Sequence, residues 1–86
     1  MMKVVNLKVD KYDVYIGRGS KWGNPFVLLN EDERNEVIEK YEEYIRGRKD
    51  LMDSLYELDG KVLGCYCKPR KCHGDVLIKL RKEQLV

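Results

Sequence analysis

The apolar run from Lys61 to Cys65 constrains the fold more than any other segment. It is short and bounded by Gly60 and a loop containing Pro69, so it reads as a strand that extends towards Cys67. Helical segments precede it. Asn30, with Glu33 three residues on, marks a helix start, and Val37, Ile38, Tyr41 and Ile45 share one face before Gly47 ends the helix. A shorter helix from Asp50 buries Leu51, Leu55 and Leu58 and stops at Gly60. At the other end of the chain, Lys3 to Val9 is Val-rich and alternating, a second strand; Val14 to Ile16 is a third, after a polar turn. Strands joined through a helical crossover are parallel and right-handed. A last helix, His73 to Leu85, turns Val76, Leu77 and Leu80 inward. The prediction is an α/β fold: a small, mostly parallel sheet of three to four strands flanked by helices, in a single domain over residues 1–86.

An 86-residue chain supports one modest core. A metal, a disulfide or an oligomeric partner would add stability to it. No apolar stretch approaches the roughly 18 residues of a membrane span, and Met1 to Asp10 has no secretory pattern. The expectation is a soluble, cytoplasmic protein with no membrane partner. Ala and Thr are absent while Lys and Glu are abundant, a bias that leans towards a thermophile source, where intracellular disulfides are commoner.

All three cysteines and the single histidine fall within nine positions: Cys65, Cys67, Cys72 and His73. Lys68, Arg70 and Lys71 lie among them. Cys65 and Cys67, two apart on a strand, share a face. Cys72 and His73 open the following helix, whose free N–H groups and dipole favour an anion or a thiolate. Four arrangements satisfy this pattern. Cys72 is a nucleophile of lowered pKa, with Cys67 the alternative thiolate, His73 as acid or base and Asp75 as its orienting partner. Cys65, Cys67, Cys72 and His73 hold zinc, although C-x-C followed by adjacent C-H departs from the usual C-x2-C spacing. Cys67 and Cys72 form a disulfide across the loop. The thiols are small buried core residues and His73 caps the helix.

Gly17 to Phe26 holds three glycines and a proline, and it is a loop. It has neither the P-loop nor the dinucleotide spacing. Gly17 allows close backbone approach, Arg18 can clamp a phosphate or carboxylate, Trp22 can stack on a base and Asn24 can read a polar group. For Trp22 and Phe26 the simpler expectation is core packing. Charge is uneven: Glu31 to Glu43 carries a net −5, so the rest of the chain carries +7. That asymmetry points to an anionic ligand bound through Arg18, Lys68, Arg70 and Lys71, or else to solvated surface.

Two motifs occur in order. Tyr15-Ile16-Gly17-Arg18 leads to Trp22-Gly23-Asn24-Pro25-Phe26; Leu63-Gly64-Cys65-Tyr66-Cys67 leads to Cys72-His73-Gly74-Asp75-Val76-Leu77. Together they resemble the domain-of-unknown-function family 4326, over nearly the whole chain. Tyr66 stands where that family often shows Trp. The resemblance implies a fold and a set of motif residues, and no reaction. The residues themselves leave two functions open. One is an enzyme that takes a nucleotide-like anionic small molecule and uses a Cys72 or Cys67 thiolate. The other is a non-enzymatic module, stabilised by zinc, that binds nucleic acid or protein.

Overall fold

A computed structural model describes residues 2–26, 29–66 and 70–86. Three strands, β1 (Lys3–Asn6), β2 (Val14–Tyr15) and β3 (Val62–Cys65), form a parallel sheet in the order β1-β3-β2. Between β2 and β3 lie α1 (Arg34–Arg46), entered through a 3-10 turn at Glu31–Glu33, and α2 (Lys49–Ser54), continued by a 3-10 turn at Leu55–Leu58. The last element is α3 (His73–Gln84). The mixed α/β architecture in one compact unit is the predicted one. No helix among the described residues is long and apolar enough to cross a membrane.

The helical faces are those of the sequence pattern. α1 buries Val37, Ile38, Tyr41 and Ile45, and α3 buries Val76, Leu77 and Leu80. All of these but Val37 pack with Leu51, Leu55 and Leu58 against Met2, Ile16, Leu63 and Cys65, with Val4 and Val14 at the margin. Along β3, Leu63 and Cys65 therefore point into the helical layer. Gly64 points the other way, and a Cβ there would come within 2.6 Å of Tyr12 Cγ. The connection from β1 to β2 thus lays Tyr12 across the central strand where only a glycine admits it.

Strand β1 is shorter than the predicted Lys3–Val9 segment, because Asn6 ends it. The Asn6 side chain accepts from the Lys8 N–H at 2.9 Å and the Asn6 carbonyl accepts from the N–H groups of Val9 and Asp10, both at 3.0 Å. Val9 is left 79% exposed. Asn30 precedes the 3-10 turn instead of capping α1, and its side-chain amide donates to the Glu33 carboxylate at 3.1 Å. Asp13 sets the start of β3: its N–H donates to the Val62 carbonyl and its carboxylate accepts from the Val62 N–H, both at 2.8 Å.

Candidate functional site

Because β2 and β3 run parallel, the segments leaving them emerge at the same edge of the sheet. This is where α/β folds bind ligands. The ladder between them continues one residue past β2, with the Ile16 N–H donating to the Gly64 carbonyl at 3.0 Å. A cavity of about 260 Å³ opens at this edge. Gly17, Arg18, Asn24 and Phe26 line it from the first loop, Cys65, Tyr66 and His73 from the second motif, and Arg34, Val37 and Ile38 from the α1 side. The two motifs therefore meet in space around one concavity.

The first loop folds on the Gly17 carbonyl, which accepts from the Ser20 N–H at 3.1 Å and the Ser20 hydroxyl at 2.7 Å. Asn24 uses its side-chain oxygen to accept from the Phe26 N–H at 2.9 Å, turning the chain beside the cavity. Trp22 is buried, and its carbonyl accepts from the Tyr41 hydroxyl at 2.7 Å. It is a core residue and does not line the cavity, so its stacking role on a base is corrected. Phe26, expected in the core, is 36% exposed and stands edge-on to Tyr44 with ring centres 6.3 Å apart. Phe26 and the 58% exposed Tyr66 are the accessible aromatic rings at the cavity.

Cys65, at the end of β3, and Cys72, ahead of α3, bring their sulfur atoms to 2.7 Å. Cys72 is the N-cap of α3. Its sulfur accepts from the Gly74 N–H at 3.4 Å, and its own N–H donates to the Asp75 carboxylate at 3.2 Å, a reciprocal capping box. Asp75 is thus occupied by the helix start. The orienting partner of His73 is the Ile16 carbonyl, 2.6 Å from Nε2. A carbonyl only accepts, so Nε2 carries a proton, and Nδ1 is the atom that faces the Cys72 sulfur at 3.6 Å. The ring is buried and meets Tyr41 edge-on at 5.0 Å between centres. Burial, reinforced by Tyr44 and Cys72 nearby, pushes the Tyr41 hydroxyl well above its ordinary pKa, so it stays a neutral donor.

Cys72 is 0% exposed and does not line the cavity, whereas Cys65 does. Cys65 is itself only 1% exposed, so both thiols are buried and differ in that Cys65 borders the cavity and Cys72 lies behind it. Cys67 and Lys68 lie outside the described residues, and with them the Cys67–Cys72 disulfide and the fourth zinc ligand. Among the described residues, no group of three or more His, Cys, Asp or Glu side chains has the placement of a metal site. Two thiolates on one zinc, each about 2.3 Å from it, stand roughly 3.8 Å apart in a tetrahedron; the sulfurs here are closer, and His73 Nε2 is committed to Ile16.

The uneven charge resolves largely into pairing between elements. Glu31 accepts from Arg34 through both oxygens, at 2.8 and 2.9 Å, and from Arg70 at 2.9 Å. Arg34 also donates to the Lys71 carbonyl at 2.9 Å, which ties α1 to the second motif. Lys71 Nζ reaches the Asn35 side chain at 3.4 Å. Lys79 and Arg46 converge on Glu42 and hold its carboxyl below the usual carboxylate range. Arg70, 66% exposed at its side chain, pairs with Glu31. Arg18, exposed at the cavity, has no side-chain hydrogen bond or ion pair among the described residues. Three participants carried no local sequence signal: Arg34, the cavity-facing ring of Tyr66 and the Ile16 carbonyl. Each acquires its place from the packing of α1 and α3 on the strand ends.

Relatives occur among viruses. The chain is 38% identical over 81 residues to an uncharacterised 12.4 kDa protein from the nrdA-td intergenic region of Enterobacteria phage T4, covering 90% of this chain and 74% of that one. It is 39% identical over 92 aligned positions to an uncharacterised protein of Acanthamoeba polyphaga mimivirus, covering 86% of this chain and 70% of the relative. No solved structure matches it. A family described as a domain of unknown function matches residues 2–83, the span that contains both motifs and every element of the sheet, and the chain belongs to that family, DUF4326.

Proposed function

We propose that the domain binds a phosphate-bearing, nucleotide-like anion in the cavity at the sheet edge, with the Cys65 thiol facing the bound molecule. The observation that carries this reading is Arg18. It stands at the rim of the cavity with no side-chain partner among the described residues, while Arg34 and Arg70 are both paired with Glu31. A guanidinium left available beside a concave wall suits bidentate capture of a phosphate or carboxylate. At about 260 Å³ the cavity lies just below the range of roughly 300–1,000 Å³ that encloses drug-sized ligands. It matches a sugar-phosphate portion, leaving a base outside against Phe26 or Tyr66.

Chemistry at the bound ligand would use the Cys65 thiol. Cys72 and His73 behind it are placed to accept and return a proton, and Ile16 holds the imidazole in position. The alternative, a nucleic-acid-binding module, uses the same cation on an extended strand. Calorimetric titration with a nucleoside monophosphate and with a single-stranded oligonucleotide, each at 50 and 200 mM salt, separates the two. The expected result is binding of the mononucleotide with modest salt dependence, weakened at least tenfold by Arg18→Ala. Oligonucleotide binding alone, falling steeply with salt as counterion release requires, would transfer the site to the module reading. Failure of both ligands at millimolar concentration would end the anion assignment.

A further inference from the structure

We propose that Cys65 and Cys72 form a redox-active dithiol, with Cys65 receiving a small hydroperoxide through the cavity and Cys72 resolving the product to a disulfide. The proposal rests on the thiol geometry and stands independently of anion binding. The two sulfurs, one at the end of β3 and one at the cap of α3, lie 2.7 Å apart, whereas a disulfide bond is about 2.05 Å long. Closing the bond therefore needs only a small movement of two side chains. The two sulfurs also differ in setting. Cys65 lines the cavity, while Cys72 does not. Cys72 receives the Gly74 N–H at 3.4 Å, which favours negative charge on its sulfur, and faces His73 Nδ1 at 3.6 Å, the ring atom free to take its proton.

Cys65 as thiolate attacks the terminal peroxide oxygen; the O–O bond breaks, Cys65 becomes a sulfenic acid and the departing oxygen takes up the Cys65 proton, leaving as water from hydrogen peroxide or as an alcohol from an organic hydroperoxide. The Cys72 thiolate then attacks the Cys65 sulfur and an S–S bond forms. The sulfenic hydroxyl leaves as water, taking the proton that Cys72 passes through His73. Two thiols are oxidised by two electrons and one hydroperoxide is reduced. The Cys65–Cys72 pairing differs from the Cys67–Cys72 bridge expected across the loop.

The test treats the full chain with hydrogen peroxide, denatures it in excess N-ethylmaleimide and measures intact mass. One alkylated cysteine instead of three is expected, with a loss of two hydrogens, reversed by dithiothreitol. Trypsin leaves Cys65 and Cys67 together in residues 62–70 and Cys72 in 72–79. Fragmentation of the linked pair must therefore place the bond on Cys65, a readout that needs no variant and no refolding. Cys67→Ser should form the same link at an unchanged rate. A bond mapped to Cys67, loss of the link in Cys67→Ser, or three alkylated cysteines after exposure to millimolar peroxide would each overturn the proposal.

Discussion

His73 Nε2 donates to the Ile16 carbonyl across 2.6 Å, joining the first turn of α3 to the residue that follows β2. This bond couples the two sequence motifs directly. The histidine that lines one side of the cavity is thus held by backbone from the other motif.

Gly74, the next residue of α3, makes that approach possible. A Cβ at Gly74 would lie 2.7 Å from Ile16 Cδ1 and 2.8 Å from Val4 Cγ2. In an open helix, Gly→Ala stabilises by about 1 kcal/mol. Overpacking a filled core costs about 1–3 kcal/mol, so the clash wins here. Gly74→Ala should lower the thermal midpoint by roughly 4–8 °C for each kcal/mol of the difference. A raised midpoint in calorimetry would show that the contact is slack.

Tyr41→Phe should destabilise the domain by about 1–3 kcal/mol, the cost of stranding a buried acceptor. The tyrosine is fully buried and its hydroxyl serves the Trp22 carbonyl at 2.7 Å. Urea unfolding followed by the fluorescence of Trp22, the single tryptophan, measures this. A change of only a few tenths of a kcal/mol would mean that another donor replaces the hydroxyl.

Acid should loosen the ion pairs that tie α3 to α1 and to Asp59 before the core unfolds. Lys79 and Arg46 lower the Glu42 pKa through hydrogen bonds, and Arg81 does the same for Asp59. With folded values below unfolded ones, this stabilisation is fully present above the ordinary carboxylate range near about pH 4. It is lost as pH falls through the depressed folded values. Thermal melts from pH 7 to pH 2.5 should therefore hold steady to about pH 4.5 and then decline. The decline should be smaller in Glu42→Gln, which has already lost the pairs. Equal acid sensitivity in that variant would place the effect elsewhere.

Much of the fold was legible because it rests on periodicity. Val37, Ile38, Tyr41 and Ile45 in α1 and Val76, Leu77 and Leu80 in α3 fall at helical spacing and are buried as that spacing requires. The run ending at Cys65 is a strand because it is apolar, short and bounded by turn residues. Its central position follows from the need to pair with two strands that the chain had already made. The end of β1 was less legible. The local Asn6 turn competes with the ladder there, and alternation alone does not register a side chain that accepts from the backbone two residues on.

The residues of the site were visible by type and crowding, but their division of labour was not. Sequence by itself placed Arg18, Cys65, Cys72 and His73 at strand ends and a helix start. Only tertiary packing decided that Cys65 borders the cavity while Cys72 does not; the bond that spends Asp75 on the helix cap is local, three residues from Cys72. Packing likewise left Ile16 to hold His73 and turned Arg70 towards Glu31. The physical reason is that local pattern sets which face of an element is apolar. Which polar atoms from distant parts of the chain meet depends on how the helices settle on the sheet, a choice made by volume and hydrogen-bond satisfaction together.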